Sequence, residues 1–262
     1  MFFDSYDEFV TKDPRYGRES TKVTSESLSK RASAILPQHI VKDKTILDLG
    51  HCVGAFGHWA LSNGASHYTG VDIQKLFCDR SKDLLSKYWS EEKYSVVNSD
   101  ILSLEKKQYD IVVAAGVLHG YFDVISVIKK LSEFDAKYIV VETLHIEETT
   151  PKIEFRNHNM ASPTMKYPYS GWTAVIGIKA LTMVFAEYGY DVDGDRIFPE
   201  RILNSHDAYN DHRPNTNDYD AVPNRYILRF KKSKTKSNSL QSAIKDKRQS
   251  FNAVLYDPQK GN

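Results

Sequence analysis

Cysteine is scarce in this chain: two in 262 residues, Cys52 and Cys78. Two thiols exclude a disulfide framework and a cysteine-built zinc site, and they fit a reducing compartment. Long apolar runs are missing as well. None approaches the roughly 18 residues needed to cross a bilayer. The opening MFFDSYDEF carries acids where a secretory leader has an apolar stretch. No charge of one sign dominates. Lys and Arg number 35 against 34 Asp and Glu, a net charge of +1, which excludes attraction of the whole molecule to nucleic acid or membrane. There is no internal repeat. What is left is an ordinary globular composition, 41% hydrophobic and 26% charged, long enough for a large core. The expected location is the cytoplasm.

The informative stretch is Lys44 to Asp72, KTILDLGHCVGAFGHWALSNGASHYTGVD. A short apolar run, Thr45-Ile46-Leu47, turns at Asp48-Leu49-Gly50, and Gly54 and Gly57 follow. Helical spacing from Phe56 to Leu61 closes at Asn63-Gly64. A second apolar run, Tyr68 to Val71, ends on Asp72. Strand, glycine turn, helix and a second strand tipped by an acid make the unit with which parallel sheets hold nucleotides. Asp72 lies about 20 residues past the turn, where an acid accepts hydrogen bonds from a ribose. The dinucleotide pattern G-x-G-x-x-G is not met, because His51 and Cys52 follow Gly50. Asp48 also brings into the turn a carboxylate that would repel a diphosphate. A ligand with a ribose, an ammonium group and no phosphate suits it better, and S-adenosyl-L-methionine is one.

ILDLGHCVGAFG resembles the first motif of the class I S-adenosylmethionine-dependent methyltransferases, hydrophobic-hydrophobic-D-x-G-x-G-x-G. Asp48, Gly50 and Gly54 match, and Cys52 departs where glycine is usual. The resemblance implies an α/β fold: a Rossmann-like, seven-stranded, mostly parallel sheet with helices on both faces and the last strand antiparallel. It implies S-adenosyl-L-methionine as cofactor, held by Asp48, Gly50, His51, Gly54, Asp72, Ile73, Asp100, Ile101 and Gly116. In that family the acid ending the third strand accepts from the adenine amino group and the next apolar residue packs on the ring, which places those roles on Asp100 and Ile101. Gly116-Val117-Leu118-His119 is similar to the family's fourth-strand motif, whose loop separates cofactor from substrate.

Further along, strands are expected at Tyr94–Asn98, Tyr109–Ala115, Lys137–Thr143, Tyr190–Val192 and Arg225–Phe230. Helices are expected at Ser25–Leu36, Gln74–Trp89, Val124–Phe134 and Thr173–Tyr188, the last capped by Gly189. The expected organisation is an N-terminal arm and helix over the cofactor site (1–37), the cofactor-binding domain (38–230) with a substrate lid inserted at 146–172, and a mobile basic tail (231–262). Eight of the 35 basic residues but two of the 34 acids lie from Lys231 onward.

Methyl transfer needs a base only when the acceptor is a poor nucleophile, and histidine is the commonest choice. His119 and His145 follow the fourth and fifth strands and are the candidates. Tyr167, Tyr169 and Trp172 would line the acceptor site. His206, Asp207, Asp211 and His212 sit in a polar loop whose composition reads as turn chemistry, so no metal is expected. The magnesium-binding acids of catechol-type relatives, the N-P-P-Y-type motif of amino-DNA relatives and the paired loop glutamates of arginine-modifying ones have no counterpart. The expectation is metal-independent transfer to the oxygen, nitrogen or carboxylate of a small molecule, with no membrane partner. The alternatives are a tRNA nucleoside as acceptor, with the basic tail touching RNA, another chemistry such as cleavage of the same cofactor, or a binding protein without turnover.

Overall fold

A computed structural model gives the fold; it describes Phe9, residues 25–144, Ile146 and residues 149–157, 172–194 and 225–233. Nine strands are formed among these: β1 (Thr45–Leu49), β2 (His67–Asp72), β3 (Tyr94–Asn98), β4 (Ile111–Ala115), β5 (Tyr138–Leu144), β6 (Ile153–Asn157), β7 (Trp172–Ile176), β8 (Tyr190–Val192) and β9 (Arg225–Lys232). The helices are α1 (Ser25–Ile35), α2 (Gln38–Val41), α3 (Ala55–Ser62), α4 (Lys75–Leu85), α5 (Val124–Glu133) and α6 (Ile178–Glu187). Seven strands make one sheet in the order β3-β2-β1-β4-β5-β9-β8, and β6 pairs with β7 as a separate hairpin. β9 runs antiparallel to both β5 and β8, while β1 to β5 are parallel. The expected seven-stranded sheet with an antiparallel last strand is what forms.

Alternation along the strands decides which side of the sheet each residue fills. Leu47, Leu49, Val112, Ala114, Ile139 and Val141 face α5 and α6 in one core. Ile46, Ile111, Val113 and Val140 join residues of α1, α3 and α4 in the other. Both faces are buried, so these strands read as unbroken apolar runs. The chain leaves β1 toward β2 on one side and returns through β4 on the other, so the order reverses between β1 and β4. Ligands of such sheets bind outside the carboxyl ends of the strands at that reversal.

Four expectations need correction. The helix expected over Thr173–Tyr188 begins only at Ile178; Trp172–Ile176 is β7, antiparallel to β6. Val175, Ile178 and Leu181 fit a helical spacing, but the run Trp-Thr-Ala-Val-Ile is rich in β-branched and aromatic residues and Gly177 separates it from the helix. Part of the expected lid, 146–172, is thus a strand, β6, and the hairpin's second strand opens with Trp172. Lys231 and Lys232 lie in β9, so the basic tail begins later than residue 231. The helix expected to reach Trp89 ends at Leu85.

The N-terminal helix is fastened by charge. Arg31 of α1 gives two hydrogen bonds to Oε2 of Glu142 in β5, one from Nε at 3.1 Å and one from its terminal nitrogen. Glu142 is fully buried, and the Arg31 guanidinium also lies 5.1 Å from the centre of the Phe56 ring. Trp59 of α3 donates from its indole to Leu36 O at 2.9 Å, just past the end of α1.

A second fastening is aromatic. His58 of α3 is stacked on Phe9 at 4.8 Å and accepts a 3.1 Å hydrogen bond at Nδ1 from the Trp89 indole. Burial lowers its pKa from 6.5 to about 4. The unfolded chain therefore binds a proton that the folded chain rejects between these values, and stability rises with pH through the window. As pH falls from 6.5 to 4, His58 is expected to cost about 3 kcal/mol of unfolding free energy. Urea unfolding across this range should show that much less loss in His58→Gln than in the native chain.

Candidate functional site

The carboxyl ends of β1 and β2 carry two buried acids on one face of the sheet. Asp48 pairs in register with Gly70, two residues before Asp72. The Asp48 carboxylate accepts a 2.9 Å hydrogen bond from the Tyr68 hydroxyl. Burial first, then the charges of Asp48 and Asp72, raise the Tyr68 pKa well above its ordinary value, so the hydroxyl keeps its proton and remains a donor. Gly57 makes room for this ring: a Cβ there would stand 2.4 Å from it. Two buried carboxylates on one face favour a cation in the crevice they border.

The glycine turn is built by close approach. Gly50 donates to Val71 O at 2.7 Å and has φ of 72°. A Cβ at Gly50 would meet Val117 Cγ2 at 2.4 Å, so the first turn and the loop after β4 are in contact. Gly54 has φ of 84° and caps the start of α3; a Cβ there would lie 2.5 Å from Ser81 Oγ in α4. Cys52, where a third glycine would be usual, also has positive φ, 52°. Its amide donates to Asp72 Oδ2 at 3.1 Å, while Gln74 N donates to Oδ1 at 2.9 Å. Asp72 thus organises the turn from the end of the next strand.

His51 sits differently from its expected cofactor role. Its backbone amide donates to Val71 O at 3.2 Å. Its ring is buried against Gly70, where a Cβ would come within 2.7 Å, and its Nε2 lies 3.9 Å from Cys78 Sγ. Both cysteines are buried and free. Burial, then the charge of Asp72, raises the Cys78 pKa, which keeps it an inert thiol.

Beyond β3, Asp100 accepts from Leu102 N at 2.8 Å and from the Tyr121 hydroxyl at 3.3 Å. Ile101, expected against a ligand ring, is buried in the core on the α5 side. Ile73, next to Asp72, is a large apolar residue left 43% exposed. Its carbonyl accepts from Asn98 Nδ2 at 3.0 Å. Gly116 ends β4 with φ of 74° and donates to Glu142 O at 2.8 Å. His119 lies in the short turn Leu118–Gly120, partly exposed, with Cε1 4.0 Å from where a Gly116 Cβ would stand. His145, Tyr167, Tyr169 and the polar loop with His206 and His212 fall outside the described residues, and Trp172 is described as backbone only. The described residues contain no group of three or more His, Cys, Asp or Glu able to hold a metal. No described helix is long and apolar enough to cross a membrane.

Sequence reasoning missed Tyr68 and Tyr121, the hydroxyls that hold Asp48 and Asp100. A tyrosine in an apolar strand reads as core, and here both rings are core. For Tyr68 only the pairing of neighbouring strands shows where the hydroxyl ends; Tyr121 follows the turn Leu118–Gly120 and reaches Asp100 from the loop after β4.

Residues 47–134 match a family described as a methyltransferase domain. Protein arginine N-methyltransferase 1 of Saccharomyces cerevisiae is 27% identical over 123 residues, which are 46% of this chain and 33% of that protein. The chain therefore spans about a third of the length of the curated relative it matches. Among solved structures, magnesium protoporphyrin IX methyltransferase from Synechocystis PCC 6803, with S-adenosylmethionine bound, superposes with a TM-score of 0.57 at 12% identity, covering 88% of this chain and 94% of that one. A didemethyltoxoflavin N-methyltransferase from Burkholderia thailandensis, with its substrate and S-adenosylhomocysteine bound, has a TM-score of 0.55 at 14% identity, covering 79% of each chain. At these identities the superpositions speak for the fold.

The left-handed Cys52 yields a prediction. Glycine there removes the Cβ penalty of about 1–2 kcal/mol but raises the entropy of the unfolded chain by a comparable amount. Cys52→Gly should shift stability by less than about 1 kcal/mol. Cys52→Val should lose about 1–3 kcal/mol, because a β-branched residue is strained at positive φ. Chemical denaturation of the two variants checks the contrast.

Proposed function

From its membership of the class I S-adenosylmethionine-dependent methyltransferases, we propose that this chain transfers the cofactor's methyl group to a small-molecule acceptor without a metal. The observation that carries the reading is the gathering of Asp48, Asp72 and Asp100 at one edge of the sheet beside the β1–β4 reversal. A diphosphate would meet two buried carboxylates there, whereas an adenosyl sulfonium brings a positive charge. Asp48 and the turn Gly50–Gly54 would hold the methionyl end, Asp72 the ribose, and Asp100 with Ile73 the adenine. His51 would contribute its backbone, since its ring is buried against Gly70.

The bound cofactor supplies an activated methyl group, so the chain's own work is to place the acceptor in line and exclude water. The loop after β4 is the part of the chain suited to this. It closes over the first turn through Val117 and carries His119 at its outer side. His119 would take a proton from a hydroxyl acceptor.

An arginine side chain as acceptor is disfavoured despite the yeast relative. The loop Gly116–Asp123, GVLHGYFD, contains no glutamate, and Glu142 of β5 is engaged by Arg31. A nucleoside in RNA has no support beyond the basic residues after β9.

Calorimetry with S-adenosylhomocysteine and transfer of labelled methyl from the cofactor test the reading together. No heat of binding would remove it. Cofactor consumed with no label on any acceptor would replace it with cofactor cleavage. Asp72→Asn should weaken S-adenosylhomocysteine binding by about 1.5–3 kcal/mol, the range for hydrogen bonds to a charged group. His119→Ala should lower kcat by about 10²–10⁴-fold while leaving that affinity unchanged. Unaltered turnover would mean an acceptor that needs no base.

A further inference from the structure

Two phenylalanines beside the site stand outside both cores. Phe122 and Phe155 are 50% and 51% exposed, and their rings lie 4.8 Å apart at 32°. Ile125, one residue into α5, is also exposed. Phe122 belongs to the loop that carries His119, and Phe155 to the inserted hairpin. The two segments are joined by the backbone: Ala174 N of β7 donates to Tyr121 O at 3.3 Å, and Ala174 is the register partner of Phe155. Tyr121 donates from its hydroxyl to Asp100. One residue thus connects the acid at the third strand end, the loop after β4 and the hairpin, so the ring pair has a fixed place relative to the crevice. The nearby charges of the hairpin, Lys152 and Glu154, lie 4.0 Å apart and offset each other.

Leaving two adjoining aromatic rings, tilted at 32° to each other, half in water forgoes burial that the core beneath would give them. Flat aromatic faces open at the rim of a site suit a flat partner, which stacks at 4.5–7 Å between ring centres. Resting on the methyltransferase reading, we propose that Phe122 and Phe155 form the platform for the methyl acceptor, and that the acceptor is a small molecule with a planar, conjugated ring.

The probe is 2-naphthol, titrated by fluorescence into the full chain saturated with S-adenosylhomocysteine, with cyclohexanol as the non-planar control. The native chain should bind 2-naphthol saturably and cyclohexanol far more weakly. Phe122→Ala and Phe155→Ala should each raise the 2-naphthol Kd by roughly tenfold. Phe155→Leu should do nearly the same, because leucine keeps the bulk and loses the flat face. Affinity for S-adenosylhomocysteine should stay unchanged in all three variants, which separates this test from that of the cofactor site. The platform is overturned if the native chain binds both probes alike, or neither, while still binding S-adenosylhomocysteine. It is overturned equally if the alanine variants leave the 2-naphthol Kd unchanged, or if sedimentation shows that they only dissolve a dimer and so mark a self-association surface.

Discussion

A carboxylate buried at the end of a central strand has to be held, or it would cost several kcal/mol. The hydroxyl of Tyr68 holds Asp48, and much of the local sequence follows from that one bond. The ring must reach from β2 across to β1, so residue 57 of α3 has no side chain to block it. Burial keeps the hydroxyl protonated, and protonation keeps it a donor. Asp72, two residues beyond the register partner of Asp48, repeats the device with backbone donors, Cys52 N and Gln74 N. The acids at the heart of the crevice are thus built into the sheet and the turn rather than hung on loops. A site made this way is in place before any ligand arrives, which is the condition for electrostatic recognition at low reorganisation cost.

The parallel sheet was largely legible because its central strands β1, β4 and β5 are buried on both faces. Each of its first five strands is an apolar run with an acid or a glycine at its end, and the crossover rules leave little freedom once such runs alternate with helical spacing. The positions of Asp48, Asp72 and Asp100 followed from that pattern. What escaped was anything decided by partners distant in the chain. Trp172–Ile176 is a strand because Ile153–Asn157 lies beside it, and no periodicity within either segment announces the pairing. The ring of His51 is buried because Gly70 leaves space for it. Ile101 goes into the core and Ile73 stays open, although both follow an acid at a strand end, since only Ile101 has α5 to pack against. The sequence shows the residue types at such places; tertiary neighbours choose among their directions.

The known proteins that share this architecture fit their acceptors to one frame. One solved neighbour is named for magnesium protoporphyrin IX, another holds 1,6-didemethyltoxoflavin, and the yeast relative is named for arginine in protein. In this chain the β6–β7 hairpin, between β5 and α6, leans on the loop after β4 through the hydrogen bond from Ala174 N to Tyr121 O.

The Arg31–Glu142 pair joins residues 111 positions apart. Helix α1 is synthesised before the carboxylate that receives its guanidinium, which follows Arg31 by 111 residues. The pair cannot close before β5 has been made, so the fastening of this helix is a non-local contact that folding has to bring together across the intervening strands.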